Sequence, residues 1–281
     1  METMVRDIVG LSVLEEVYSP SRTKMEAFSN ILLSAPALYM TEYALAQELF
    51  SRGVAPDYVL GSSMGSFAAA TVAGFLNMED ALTAVLGQAQ VFHSHCEEGG
   101  MLAVLADPKL YRERMVSDNC ELAASDVPSH FVISGSASRL SRVAVYLSGM
   151  QIPFQELPVT HAFHSRWIDS AKDAYQRKVS RLPVRASATV PLICCATATR
   201  LHALPDNYFW RTARDPIRFG TAIRSIASAG PLHYIDAGPA GSLATSVKHV
   251  LPSAKFKVTA TLTPYSRDFN NFSKSQFIDS I

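Results

Sequence analysis

The residues of this sequence whose types and spacing could do chemistry are a serine on a glycine-flanked turn and a pair of histidines. Gly61-x-Ser63-x-Gly65 follows the short apolar run Tyr58-Val-Leu60 and precedes the Ala-rich stretch Ser66–Phe75. A tight strand-to-helix turn of this kind lifts a serine hydroxyl out of a sheet, with glycines letting the backbone make the turn. The following helix points its N-terminus at the serine, where its dipole favours developing negative charge. The Met64 N–H is the natural oxyanion donor. Ser63 is central in the pattern and Ser62 is not. The bland reading is an ordinary Gly/Ser turn before a helix.

A serine hydroxyl is too weak an acid to act without a base. Of eight histidines, His161 and His164 lie three residues apart in Val159-Thr-His161-Ala-Phe-His164-Ser165. That segment falls where one structural texture gives way to another, and sites form in such seams. Residue chemistry alone does not rank one histidine above the other. A different arrangement, with the acid ahead of a late histidine as in α/β-hydrolase esterases, would use Asp236 and His249.

Two other groupings carry less. His93, His95 and Cys96 lie within four residues, but no second ligand pair at zinc spacing follows. They read as a polar helix end, and no metal is expected. Cys194-Cys195 stands in an apolar run of strand formers and reads as a buried strand segment. The four cysteines form no CxxC framework, which fits reduced thiols in a cytoplasmic protein.

The elements that must position these residues can be read from periodicity. Ile31–Arg52 has apolar residues at helical spacing and stops at Gly53 with Pro56 beyond. A second helix is expected from Met78 to Cys96. From Gly99 the pattern becomes strand (MLAVL), helix (Pro108–Val116), strands (CELAAS and HFVISG), helix (SRLSRVAVYLSGM) and strand (Ile152–Leu157). That order is a ferredoxin-like βαββαβ unit. Further strands are expected at Thr189–Cys195 and Leu232–Asp236, and a helix at Gly241–Val250. The fold class is therefore α/β, a parallel-sheet core of residues 1–98 and 162–281 with a ferredoxin-like α+β subdomain, 99–161, inserted.

Composition narrows the function classes. With 281 residues and 48% hydrophobic content, the chain can bury a large core. A formal net charge of zero leaves no basic excess to hold a phosphate backbone, so nucleic acid is not expected as a partner. No apolar run reaches membrane-spanning length, and Met1–Gly10 lacks the zones of a secretory signal. Trp210 and Phe209 read as core anchors. Ser266–Ile281 reads as a docking tail or a frayed end.

Taken together, several phrases resemble a known family. Gly61-Ser-Ser63-Met-Gly65, Gly99-Gly100-Met101, His130-Phe-Val-Ile-Ser-Gly135, His161-Ala-Phe-His164, Asp215-Pro-Ile-Arg-Phe219 and Asp236-Ala-Gly-Pro-Ala240 occur in the order seen in malonyl-CoA:acyl-carrier-protein transacylases. That family includes the acyltransferases of polyketide synthases, and the resemblance runs over nearly the whole chain. Its nearest form is the trans-acting acyltransferase homologues of bacterial polyketide clusters, in particular the acyl hydrolase subgroup. The resemblance implies an α/β-hydrolase-like core, Ser63 as the acylated serine and His164 as the catalytic histidine. It implies His161 and Phe163, with residue 88, as acyl-binding positions. A backbone carbonyl at Arg218 would orient His164 in a dyad. The implied partner is an acyl carrier protein, whose phosphopantetheine arm belongs to the substrate, and no cofactor is implied.

Three departures bear on the activity. The family's arginine that holds the malonyl carboxylate is matched by Gln88, in Gln88-Ala-Gln-Val-Phe92. Glutamine is neutral and cannot replace two charge-assisted bonds, each about 1.5–3 kcal/mol. Ser62 and Ser66 stand where the family has histidine and glutamate. The family's first strand carries a second oxyanion donor, and this sequence starts downstream of it. The expectation is a core short of one strand and one donor, with a misplaced start as the simplest cause. The expected function is removal of acyl groups from carrier protein by hydrolysis. The alternatives are malonyl transfer from coenzyme A to carrier protein, and a non-catalytic docking subunit.

Overall fold

A computed structural model describes residues 1–23, 26–251 and 256–263. Two short helices, α1 (Glu2–Val9) and α2 (Val13–Val17), open the chain. The Asn30 side chain then accepts from Leu32 N–H at 3.1 Å and caps α3 (Ile31–Ser51), which ends before Gly53 at φ 82°. β1 (Val59–Gly61) leads through the serine turn into α4 (Gly65–Val72). Asn77 caps α5 (Met78–His95) through Asp80 N–H at 2.8 Å. The expected helices α3 and α5 are therefore present. The sequence reading had no counterpart for α1 and α2.

The inserted unit contains β2 (Gly99–Val104), α6 (Arg114–Ser117), β3 (Glu121–Val127), β4 (His130–Ser136), α7 (Ala137–Gly149) and β5 (Phe154–Glu156). Its four strands run antiparallel in the order β3-β4-β2-β5, the ferredoxin-like order. Leu140, Val143 and Leu147 of α7 pack on Phe131, Ile133 and Val104, giving this sheet its own core. The helix read at Pro108–Val116 is broken into a 3₁₀ turn, Pro108–Arg112, and the single α-turn of α6. Asp107 accepts from Lys109 N–H at 2.8 Å and starts the first piece, and Glu113 at ψ 127° divides the two.

The chain then returns through α8 (Lys172–Val179), β6 (Leu192–Cys194), β7 (Thr199–Leu201), α9 (Tyr208–Arg214), α10 (Phe219–Ala227), β8 (His233–Asp236), α11 (Ser242–Val250) and β9 (Lys257–Ala260). β1 pairs parallel with β6, and β8 parallel with β9. The main core lies among α3, α4, α5, α8 and α9 around Tyr39, Phe67, Phe92 and Tyr175. Trp210 and Phe209 are buried in it, as core anchors would be. The stretch Ser266–Ile281 lies outside the described residues.

The expected parallel core is in two pieces. β1 and β8 are not bonded to each other; a cavity of about 680 Å³ lies between them, lined also by α3, α4, α10 and α11. Val59, Leu60, Tyr234 and Ile235 stay half-buried along it, whereas β6, paired on both sides, is buried throughout. Glu42 of α3 lines this slot with one carboxylate oxygen that has no hydrogen-bond partner among the described residues. Among the described residues, no helix is long and apolar enough to cross a membrane.

Candidate active site

The turn that carries Ser63 is built from backbone bonds. Gly65 N–H donates to Ser62 O and Ser66 N–H to Ser63 O, both at 3.0 Å. The Ser66 hydroxyl donates to Gly61 O at 3.3 Å and closes the loop from inside. A Cβ on Gly61 would collide with the Gly65 carbonyl, so only glycine fits there. Ser63 itself lies at φ 52°, in the left-handed region where a non-glycine residue is strained. The Met64 N–H, at the head of α4, has no protein acceptor among the described residues.

His164 is also left-handed, at φ 60°. Its N–H donates to Ala213 O at 2.8 Å. Its Nδ1 lies 2.7 Å from Asp215 O and its Nε2 lies 2.9 Å from Ser63 Oγ. A carbonyl can only accept, so Nδ1 carries the proton. Nε2 is then the bare nitrogen, placed to take the proton of Ser63. Burial pushes the His164 pKa down to about 4, against a smaller opposing pull from Asp215. The imidazole is therefore neutral, the state a base requires.

Arg218 does not orient His164; Asp215 supplies the acceptor. Asp215 is the first residue past α9, at ψ 152°, so its carbonyl has left the helix and turns to the ring. The Arg218 carbonyl is already used by Ala222 N–H at 2.9 Å, at the start of α10. The Asp215 carboxylate faces away, accepting from Arg211 Nε at 2.7 Å. The pairing of Asp236 with His249 does not form either. The Asp236 carboxylate accepts from Gly238 and Ala244 N–H at 2.8 and 2.9 Å, and so fastens β8 to α11.

Gln88 is 3% exposed, on the inward face of α5. Its Oε1 accepts from Tyr175 OH at 2.9 Å, which leaves its amide N–H₂ without a protein acceptor among the described residues. One turn further on, Phe92 touches Tyr175, Phe163 and Trp210, with ring centroids 5.6, 5.4 and 6.5 Å away. Phe163 in turn meets His161 at 5.9 Å. A continuous set of contacts thus joins Gln88, through Tyr175 and Phe92, to Phe163 beside His164. The sequence reading missed Tyr175 and Phe92; the four-residue spacing of Gln88 and Phe92 on one helix face is the signal that could have found the second. His161 is 5% exposed and its Nδ1 lies 3.0 Å from Thr160 Oγ1. Burial, and secondarily His93, lower its pKa.

Among the described residues, no three His, Cys, Asp or Glu side chains are grouped to hold a metal. His95 Nδ1 meets Ser94 Oγ and Val91 O at the end of α5. All four cysteines are free thiols.

This geometry can be set beside known proteins. The chain is 40% identical over 274 residues to the polyketide biosynthesis acyltransferase homolog BaeD of Bacillus velezensis, covering 97% of this chain and 84% of that protein. It is 37% identical over 279 residues to the homolog PksD of Bacillus subtilis, covering 99% and 86%. Among solved structures, the acyltransferase domain from the second module of the salinomycin polyketide synthase superposes with a TM-score of 0.82 at 28% identity, over 96% of this chain and 64% of that one. The protein MCAT from Streptococcus pneumoniae shares the fold, with a TM-score of 0.76 at 21% identity over 92% of this chain and 86% of that one. The family model for the acyl transferase domain matches residues 1–279, serine turn, inserted subdomain and histidine segment included, and the chain belongs to that family.

Proposed function

We propose that this chain takes acyl groups from acyl-carrier-protein thioesters onto Ser63 and hydrolyses them, as a trans-acting acyltransferase homologue of a polyketide pathway. His164 Nε2 removes the Ser63 proton and Oγ attacks the thioester carbonyl. The oxyanion is held by Met64 N–H at the head of α4. The C–S bond breaks, His164 returns the proton to the sulfur, and the free arm leaves. Water, deprotonated by the same nitrogen, then attacks the acyl-serine and releases a carboxylic acid and Ser63. The partner is the carrier protein, the setting the cytoplasm, and no cofactor is needed beyond the substrate's own phosphopantetheine arm.

The observation that carries the hydrolase reading is Gln88. It is buried, neutral and tied to Tyr175, so nothing at that position ion-pairs with a malonyl carboxylate, whereas an uncharged acyl group loses nothing there. Malonyl transfer is the second reading, favoured by His161-Ala-Phe-His164. Intact-protein mass spectrometry separates them, with the wild type and Ser63→Ala incubated with acetyl-, longer acyl- and malonyl-carrier proteins and with malonyl-CoA. Ser63-dependent loss of neutral acyl groups with free acid supports hydrolysis. Malonyl loading of Ser63 that passes to empty carrier establishes transfer instead. Failure of Ser63 to accept any acyl group would leave a docking role.

A further inference from the structure

The edge strand of the inserted sheet is bonded to both halves of the histidine machinery. β3 lies at the open side of the order β3-β4-β2-β5. Its pairing with β4 slips between Leu122 and Ala124 and again between Ala124 and Val127. Bulges of this kind re-aim backbone groups away from the partner strand. Here Ala123 O accepts from Ile217 N–H at 2.7 Å, and Ala124 forms a parallel bridge with Ile217. At one end of β3, the Glu121 carboxylate accepts from Arg166 N–H at 2.9 Å and lies 3.6 Å from Arg214. At the other end, Asp126 accepts from Thr221 N–H at 2.7 Å, inside the first turn of α10. Asp126 O crowds Gly220 so closely that a Cβ there would lie 2.7 Å away.

These bonds straddle the acceptor and the ring. Arg166 is two residues after His164, Arg214 is one before Asp215, and Ile217 is two after it. The irregular stretch from Asp215 to Arg218 is also held by Asp215 N–H on Arg211 O at 2.8 Å, Arg218 N–H on Cys195 O at 2.9 Å, Ala222 N–H on Arg218 O at 2.9 Å and the Arg211–Asp215 ion pair. The position of the Asp215 carbonyl, and with it the direction in which Nε2 of His164 points, is therefore set by the end of α9 on one side and by β3 on the other.

We propose that β3 is a brace for the dyad, with Asp126 and Glu121 as positioning residues. The alignment of His164 on Ser63 then depends on how the inserted subdomain is seated. This rests on the Ser63–His164 reading and adds that the subdomain, beyond any role as a wall of the cleft, keeps the base in register. A misplacement of about 1 Å at such a distance can cost on the order of a hundredfold in rate. Asp126 accepts a bond that asparagine can also accept, whereas alanine cannot.

The test uses the full chain and a fluorophosphonate probe, which requires an activated serine but no carrier protein. Asp126→Ala is expected to lower the labelling rate at saturating probe by roughly ten- to a hundredfold, with little change in the half-saturating concentration. Asp126→Asn is expected to restore most of that rate. The downfield proton resonance of His164 Nδ1–H should broaden or shift in the alanine variant and return in the asparagine one. Glu121→Ala, at the other end of the strand, is the second variant, and decides by the same criteria if Asp126→Ala does not fold. A wild-type labelling rate and an unmoved resonance in a folded Asp126→Ala or Glu121→Ala protein would overturn the brace. Failure of the wild type itself to be labelled at Ser63 would overturn the dyad reading instead.

Discussion

Ser63 and His164 stand 101 positions apart in the chain, meet at 2.9 Å, and both hold left-handed backbone, at φ 52° and 60°. Neither is glycine, so each holds an unfavourable conformation, on the order of 1–3 kcal/mol apiece. The surrounding bonds determine both conformations: Ser66 N–H on Ser63 O for one, His164 N–H on Ala213 O for the other. The two side chains meet because their backbones are held where side-chain-bearing residues seldom sit.

That strain predicts a separation of stability from function at position 63. Ser63→Ala and Ser63→Gly should both abolish acyl-enzyme formation. Glycine should also relieve the left-handed penalty, making Ser63→Gly more stable than Ser63→Ala by about 1 kcal/mol. For a chain of this size that is a Tm difference of roughly 2–4 °C. Differential scanning calorimetry of the two variants checks it, and equal midpoints would show the turn to be unstrained.

The state of His164 predicts the acid side of the pH profile. With its pKa pushed down to about 4 by burial, the base stays unprotonated through the neutral range. Acylation of Ser63 should be flat in this group's contribution from about pH 5 upward and fall about tenfold per unit well below its pKa. The stability sign runs the same way. Between the ordinary histidine value and about 4 the unfolded chain binds the proton and the folded chain does not, so stability falls as pH drops through that window. Single-turnover labelling from pH 3.5 to 8, with Tm recorded at each point, measures both.

Gln88 and Tyr175 should act as a pair. Gln88→Arg removes the acceptor of a fully buried tyrosine hydroxyl and should cost about 1–3 kcal/mol of stability. Tyr175→Phe in the same chain should recover much of that loss, because no orphaned hydroxyl remains. Malonyl loading, absent or weak in the wild type, should rise in the double variant by at least about tenfold if a guanidinium at 88 restores the ion pair. Denaturant midpoints report the first effect, and mass spectrometry of malonylated Ser63 the second.

The parts of this arrangement legible in the sequence are the local ones. Gly61 and Gly65 mark a turn whose geometry they permit, so Ser63 could be read from a span of five residues. The capped helices α3 and α5 and the βαββαβ order of the insertion were equally local. Asp215 was not legible as the acceptor, because which carbonyl is free depends on where α9 ends, and a shift of one residue changes the answer. Tyr175 lies 87 positions from the amide it holds, a separation that periodicity does not bridge. The split between β1 and β8 was not readable either, since a strand's own residues do not say whether both its edges are paired. The short helices α1 and α2, eight and five residues, are below the length at which a periodic pattern stands out.

Glu42 gives a prediction of the opposite sign to His164. Its carboxyl lies in the slot between β1 and β8, with one oxygen unpartnered among the described residues, and burial, with a smaller push from Asp236, raises its pKa to about 8. The folded chain therefore keeps a proton that the unfolded chain releases near the ordinary glutamate value. Stability contributed by this group is complete below that value and is lost as pH rises toward about 8. Glu42→Gln supplies a neutral side chain of the same shape at every pH. It should leave Tm nearly unchanged at pH 5 and raise it at pH 8–9, the gap widening through the window between. The same substitution should leave fluorophosphonate labelling of Ser63 within about twofold, since Glu42 lies beside the Gly65 position and, among the described residues, makes no hydrogen bond to Ser63 or His164. A Tm difference that does not change with pH would show that the carboxyl ionises normally and that the slot is wetter than its walls imply.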